Sequence, residues 1–187
     1  MRLDCKVTKV YKALNFFQRM SPHNFINFTN FINSLTKVII YTDGASQGNP
    51  GPGGFGVVMM SGNKRKEISQ GFRLTTNNRM ELMSVIVALE ALKQPQLDVT
   101  IFSDSKYVVD SVSKGWVFGW SKKNFHGKKN PDLWKRFLLI YPTQKIKFVW
   151  VKGHAANVEN ERCDVLAVAA AQSRHLHIDE GYEKSID

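Results

Sequence analysis

The sequence predicts an α/β domain built on a five-stranded mixed sheet. Lys37–Asp43 is an apolar, β-branched run, which is typical of a strand buried on both faces. Two more strand patterns follow it, over Phe55–Ser61 and Glu67–Leu74, and later strands alternate with helices. Three consecutive strands followed by alternating helices and strands indicate antiparallel pairing first, parallel pairing afterwards and helices flanking the sheet.

The other elements follow from breakers, caps and periodicity. Gly62-Asn63 predicts a hairpin between the second and third strands, and the Gly/Pro/Asn-rich residues 44–54 predict a turn. We expect the following elements after the third strand: a helix over Asn77–Lys93 with Pro95 beyond its end, a strand over Val99–Ser103, a short helix over Ser105–Lys114, a helix over Pro131–Ile140, a strand over Lys145–Val151 and a helix over Glu159–Gln172.

Charge and cysteine content narrow the class of protein. The 187 residues include 26 Lys and Arg against 16 Asp and Glu, a net charge of +10 that favours a polyanionic partner such as nucleic acid. A basic enzyme without such a partner is the alternative.

No apolar run approaches the roughly 18 residues of a membrane span, so we expect no membrane partner. Cys5 and Cys163 form no CxxC pair, which excludes a disulfide framework and a cysteine zinc site and fits a reducing, intracellular setting.

The composition divides the chain into three parts. Residues 1–36 carry five cations and one anion, are rich in Asn and Phe, and are expected to be disordered or outside the fold. They could instead be an organelle transit peptide, which would replace the cytoplasmic location that we otherwise expect. Residues 37–174 form the predicted domain. Residues 175–187 are polar, and we expect a loose tail there.

One motif in the glycine-rich stretch is misleading. Gly51–Gly56 matches GxGxxG, the dinucleotide-binding fingerprint, which works only where the glycines open a helix. Here they lead into a strand pattern, and Pro52 interrupts them. We therefore reject a dinucleotide site.

Four carboxylates stand in apolar surroundings. Asp43 ends a hydrophobic strand, Asp104 follows another, and Glu81 and Asp164 lie on the apolar stripes of their predicted helices. Each has an ordinary alternative, as a turn, helix-capping or surface residue. Their coincidence favours a cluster neutralised by a hard divalent cation, Mg²⁺ or Mn²⁺ rather than zinc. A hard metal and a basic chain indicate phosphodiester hydrolysis by two metal ions.

Five segments together resemble ribonuclease H type 1, most closely the bacterial single-domain enzymes. The resemblance runs from about Lys37 to Gln172, in family order, and implies a ribonuclease H-like fold. The matching segments are Tyr41–Gly56 for the first strand and turn, Thr75–Met83 for the glutamate-bearing helix, Ser103–Val108 for the second aspartate, Trp150–Ala155 for the histidine loop and Glu159–Ala167 for the last helix.

The resemblance implies a function and roles for particular residues. The chain would cleave the RNA strand of RNA–DNA hybrids, leaving 5′-phosphate and 3′-hydroxyl ends, as a monomer that removes RNA primers and R-loops in replication and repair. Asp43, Glu81, Asp104 and Asp164 would bind two Mg²⁺ ions, with Mn²⁺ as a substitute and Asp43 bridging both. His154 would assist proton transfer and product release. Gln47, Asn49 and Asn78 would contact the minor groove, and Thr76 and Arg79 the DNA-strand phosphates.

A basic segment, Gly115–Arg136, resembles the protruding substrate-binding element of the family. Its cations alternate with aromatic residues, so the segment can pack internally while its charges meet phosphates; a solvated charged surface is the alternative. Two other functions also stay open: a non-catalytic hybrid-binding module on the same fold, and a detached domain of a reverse transcriptase. The expected substrate contacts in this segment are Trp116, Lys122, Lys123, Lys128, Lys129 and Asn130.

Overall fold

The computed structural model describes residues 37–153 and 157–186. The leader predicted over residues 1–36 lies outside this part of the chain. The strands are β1 (Lys37–Ser46), β2 (Gly51–Ser61), β3 (Lys64–Thr75), β4 (Asp98–Ser103) and β5 (Lys145–Trp150). The helices are α1 (Asn77–Glu90), α2 (Lys106–Ser113), α3 (Trp116–Lys122), α4 (Pro131–Ile140), α5 (Val158–Ala171) and α6 (Glu180–Glu183), with a 3₁₀ turn over Tyr141–Thr143.

The five strands form one mixed sheet in the spatial order β3-β2-β1-β4-β5. β2 pairs antiparallel with both β1 and β3, whereas β4 pairs parallel with both β1 and β5. This is the predicted fold class, with the predicted change from antiparallel to parallel pairing. α4 has the predicted bounds, and α1 ends at Glu90, three residues earlier than the sequence suggested.

Helices cover the two faces of the sheet differently. Side chains alternate along a strand, so Phe55 and Val57 of β2 face the main core, which also contains α1 and the buried Trp134 and Phe137 of α4. The opposite face of β2 carries Gly54 and Gly56 and packs on α5. The sheet therefore holds α1 and α5 on opposite sides of β1 and β2.

The turn predicted over residues 44–54 is mostly strand, because β1 continues to Ser46 and β2 begins at Gly51. Two of the glycines, Gly54 and Gly56, allow α5 to pack closely against β2. A Cβ on Gly54 would lie 2.6 Å from the carbonyl oxygen of Ala167, and a Cβ on Gly56 would overlap that of Cys163. Glycine in β2 lets the α5 backbone rest directly on the strand.

The expected loose tail is wrong for residues up to 186. His177 forms a β-bridge with Phe72, and its N–H donates to the carbonyl oxygen of Gly71 at 2.9 Å. Asp179 is 3% exposed and caps α6 by accepting a hydrogen bond from the Tyr182 N–H. The polar composition of this segment concealed a few contacts that fix it to β3 and α1.

None of the helices within residues 37–153 and 157–186 has the length and apolar character needed to cross a membrane.

Candidate active site

Three carboxylates from distant parts of the sequence meet at one edge of the sheet. Asp43 lies in β1 and Asp104 directly follows β4; since Thr42 of β1 pairs with Ser103 of β4, the two aspartates are neighbours. Glu81 comes from α1. One oxygen from each of the three carboxylates lies within 4.8 Å of the others. The ordinary alternatives do not apply: Asp43 is within a strand, Glu81 is buried, and the N-cap residue of α2 is Ser105 rather than Asp104.

A glycine brings α1 this close to β1. A Cβ on Gly44 would overlap the backbone of Glu81, so only glycine allows the helix to cross the strand at this distance. The Gly44 N–H also donates to Asp43 Oδ1 at 2.7 Å. Two adjacent residues of β1 therefore build this part of the site: Asp43 provides a carboxylate, and Gly44 leaves space for the α1 backbone at Glu81.

The negative charges of the cluster are unfavourable without a cation. Burial and the negative charges of Asp104 and Asp164 raise the pKa of Asp43 from 3.8 to about 8. Burial and the charges of Asp43 and Asp104 likewise raise the pKa of Glu81 well above its usual range. The buried oxygen Oε2 of Glu81 has no hydrogen-bond partner within the described residues.

This donor set fits a hard divalent metal. A bound cation would offset the desolvation and repulsion of the carboxylates and give Glu81 Oε2 a ligand bond. All three groups offer oxygen, which Mg²⁺ and Mn²⁺ prefer over softer ligands. The residues present therefore suit the metal that the sequence predicts.

Asp164 is not one of the three carboxylates whose oxygens lie within 4.8 Å of one another, but its charge acts on one of them. It lies in α5, is half-buried, and raises the pKa of Asp43 through its charge. The stripe that suggested an inward orientation is mixed, because Ala167 is buried and Val168 is 38% exposed. Asp164 thus lies at the edge of the site.

His154 lies outside the described residues, in the connection between β5 and α5. The preceding residue, Gly153, borders the cluster: a Cβ there would lie 2.6 Å from Asp104 Oδ2. The backbone of this connection therefore passes close to Asp104.

A cleft of about 490 Å³ contains several of the expected substrate contacts. One of them has an additional structural role: Asn49 Oδ1 accepts a hydrogen bond of 3.2 Å from the Asn77 N–H, at the start of α1. Gln47, Trp116 and the remaining expected lysines lie outside this cleft. The expected contacts within its lining are Asn49, Thr76, Asn78, Arg79, Lys129 and Asn130.

The structure contradicts a phosphate-binding role for Arg79. Its side chain is 3% exposed, and its guanidinium donates to Asp179 and Asp132 through four hydrogen bonds of 2.7–2.9 Å. These two carboxylates already use the donors that a phosphate would need. Arg79 is a structural residue beneath the cleft.

The segment Gly115–Arg136 packs as the alternation of its residues predicts. Phe125 and Trp134 are 5% and 0% exposed, while Trp116 is 47% exposed. Arg136 is not a free cation, since it forms a bidentate pair with Glu90. Five exposed lysines of the segment have no salt bridge within the described residues: Lys122, Lys123, Lys128, Lys129 and Lys135. The first four are the expected substrate contacts, and they remain available to an anion.

The cleft also has a wall that sequence reasoning missed. Gly181, Tyr182 and Ser185 line it from the C-terminal segment. The local signal was Asp179, a residue type that is common at helix starts, which predicts no position in space.

Comparison with known proteins agrees with this fold. The RNase H family model matches residues 35–172. Over 153 residues, the chain is 51% identical to ribonuclease H of Trichodesmium erythraeum, covering 79% of this chain and 97% of that one. It is 48% identical to ribonuclease HI of Synechocystis over 154 residues, covering 79% and 96%.

Solved structures give the same result. LC9-RNase H1, described as a type 1 RNase H with the type 2 active-site motif, superimposes with a TM-score of 0.68 and 32% identity, covering 80% of each chain. LC11-RNase H1, solved in complex with an RNA/DNA hybrid, superimposes with a TM-score of 0.55 and 26% identity, covering 80% of this chain and 99% of that one. The chain belongs to the ribonuclease H family, a family of endonucleolytic hydrolases.

Proposed function

We propose that the chain cleaves the RNA strand of RNA–DNA hybrids with two Mg²⁺ ions, leaving 5′-phosphate and 3′-hydroxyl ends. The observation that carries this proposal is the cluster of Asp43, Glu81 and Asp104, with oxygens within 4.8 Å of one another on a ribonuclease H fold. Removal of RNA primers and R-loops is the corresponding cellular role. The monomeric state and the cytoplasmic location stay predictions.

The carboxylates hold the ions in this proposal. Asp43 is the proposed bridging ligand: the charges of Asp104 and Asp164 raise its pKa, and its own charge raises the pKa of Glu81. Asp164 is the proposed fourth ligand. When bound, two Mg²⁺ ions, which Mn²⁺ can replace, activate the attacking water and stabilise the leaving oxygen of the phosphodiester.

The other residues bind the hybrid and move protons. His154 is the proposed general acid or base, because the connection that carries it passes beside Asp104 at Gly153. Asn49, Thr76, Asn78 and Asn130 line the cleft and are proposed to bind the hybrid together with Gln47.

Two observations support the hybrid as substrate. LC11-RNase H1, which has the same fold, was solved with an RNA/DNA hybrid. In this chain, the polar side chains that line the cleft and the exposed lysines of Gly115–Arg136 offer hydrogen bonds and positive charge to a duplex. The ribose 2′-hydroxyl is the group that lets a protein distinguish an RNA strand from a DNA strand.

A cleavage panel tests the proposal. The full-length chain is incubated with RNA–DNA hybrid, duplex RNA, duplex DNA and single strands, each with Mg²⁺ and with EDTA. We expect cleavage of the hybrid's RNA strand in Mg²⁺ only. Tight hybrid binding without cleavage in Mg²⁺ or Mn²⁺ would support the non-catalytic hybrid-binding module instead.

A further inference from the structure

Asn160 is a buried amide beside the carboxylate cluster. It lies in the first turn of α5 and is 3% exposed. Its Nδ2 points at Asp104 Oδ2, at 3.5 Å, and its Oδ1 has no hydrogen-bond partner within the described residues. Burial of an unpaired amide oxygen is unfavourable, so its place beside the cluster indicates a function.

We propose that Asn160 is a positioning residue, which holds the Asp104 carboxylate in the orientation that binds a divalent cation. This inference rests on the proposed function, in which Asp104 is a metal ligand. An amide N–H against one carboxylate oxygen restricts rotation of the side chain and leaves its other lone pairs for the ion. The free Oδ1 suits a hydrated cation, since Mg²⁺ keeps several of its waters in proteins.

Two more contacts restrict Asp104. The Trp150 indole N–H donates to the Asp104 carbonyl oxygen at 3.0 Å, and Gly153 leaves no room for a Cβ beside Asp104 Oδ2. Trp150 is the last residue of β5, Gly153 follows it in the connection to α5, and Asn160 lies in the first turn of α5. These three residues therefore restrict the orientation of Asp104.

A purely structural role for Asn160 can be separated from this one. The start of α5 is capped by Asn157, whose Oδ1 accepts a hydrogen bond from the backbone N–H of Asn160. The Asn160 side chain takes no part in that cap. Asn157→Ala therefore weakens the start of the helix without removing the amide beside Asp104, which makes it the matched control.

The test measures Mg²⁺ affinity without substrate, from the rise in melting temperature of the full-length chain over a Mg²⁺ series. We expect Asn160→Ala to raise the Mg²⁺ concentration of half-saturation about tenfold or more. We expect its KM for the hybrid to be unchanged and its kcat to recover in excess Mg²⁺. Asn157→Ala should lower the melting temperature at every Mg²⁺ concentration and leave half-saturation unchanged.

Two further variants keep the test decisive if Asn160→Ala folds poorly. Asn160→Leu keeps the number of side-chain heavy atoms and removes the donor, and Trp150→Phe keeps a ring but removes the N–H that reaches Asp104; both should weaken Mg²⁺ binding. Half-saturation within twofold of the wild type in the Asn160 variants, or an equal change in Asn157→Ala, would overturn the positioning role. A wild-type chain that neither binds Mg²⁺ nor cleaves hybrid would overturn the proposed function itself.

Discussion

Arg79 donates two hydrogen bonds of 2.7 Å to Asp179, which lies 100 residues further along the chain. The two side chains are 3% and 2% exposed, so the pair is fully buried. Arg79 is two residues before Glu81 in α1. The C-terminal segment is thereby fixed to the helix that carries a proposed metal ligand.

We expect Asp179→Ala to destabilise the domain by about 3 kcal/mol, the lower end for breaking a buried pair, because Asp132 still partners Arg79. Thr75 Oγ1 also loses its acceptor, Asp179 Oδ2. Chemical denaturation measures the change. The control is Asp110→Ala, which removes an exposed pair with Lys114 and should cost less than about 1 kcal/mol. An equal decrease in the free energy of unfolding in both variants would contradict a larger contribution from the buried pair.

Asp43→Asn should stabilise the protein when metal is removed with EDTA. The folded-state pKa of Asp43 is raised from 3.8 to about 8, so the folded state binds a proton that the unfolded state has lost between these values. The stability of the wild type should therefore fall as pH rises from 4 to 8, and the penalty should persist above pH 8. The variant has no such carboxyl, and at pH 8 it should gain on the order of 1 kcal/mol or more.

Melting temperatures of both proteins from pH 4 to 9 measure this effect. The melting temperature of the variant should still fall somewhat as pH rises, because the pKa of Glu81 is also raised. Asp110→Asn, at a partly exposed site outside the cluster, should show the same change of melting temperature with pH as the wild type. Identical pH profiles for the wild type and Asp43→Asn would contradict the repulsion that we assign to the cluster.

His154→Ala should slow hybrid cleavage by roughly 10²–10⁴-fold and leave a measurable rate, because positioned proton transfer accelerates a reaction by about this factor. Single-turnover kinetics in saturating Mg²⁺ measure the rate. The melting temperature of the variant provides the control for folding. A loss as complete as that of Asp43→Asn would instead indicate that His154 is needed for metal binding or structure.

Replacing Lys122, Lys123, Lys128 and Lys129 with Ala should weaken hybrid binding and flatten its salt dependence, since each phosphate contact adds a slope of roughly 0.9 or less. The rate at saturating hybrid should hardly change, because these lysines lie outside the carboxylate cluster. Hybrid affinity at several salt concentrations measures the slope.

The matched control removes four other exposed lysines: Lys64, Lys66, Lys145 and Lys147. They lie toward the end of the sheet where Ile39 pairs with Met60 and Asp98 pairs with Lys145, away from Asp43. This control should keep the wild-type slope. Equal flattening in both quadruple variants would assign the effect to net charge rather than to Gly115–Arg136.

The sheet and most helices follow from the sequence because their signals are local. Pro131 starts α4 and the apolar run of β1 predicts a buried strand. The glycine-rich residues 44–54 misled the prediction, because glycine is common in turns. In the structure, Gly54 and Gly56 of β2 instead allow contact with α5, more than 100 residues away. A single sequence contains no signal for such an approach.

The site was predictable only where side-chain chemistry was unusual for its surroundings. A carboxylate at the end of an apolar strand or on an apolar stripe stands out, so Asp43, Glu81 and Asp104 could be singled out. Arg79 could not be assigned correctly, because its partner Asp179 is in a segment whose composition predicts a loose tail. Asn160 carries no local signal, since its importance depends on the position of Asp104.

Cleavage of a hybrid by Asp43→Asn tests the carboxylate cluster most directly. The wild type and the variant are each given a hybrid with labelled RNA, in Mg²⁺ and in EDTA, and the ends of the products are analysed. The wild type should release 5′-phosphate and 3′-hydroxyl ends in Mg²⁺ only, and the folded variant should release none. Appreciable Mg²⁺-dependent turnover by Asp43→Asn would contradict the assignment of Asp43 as the central metal ligand.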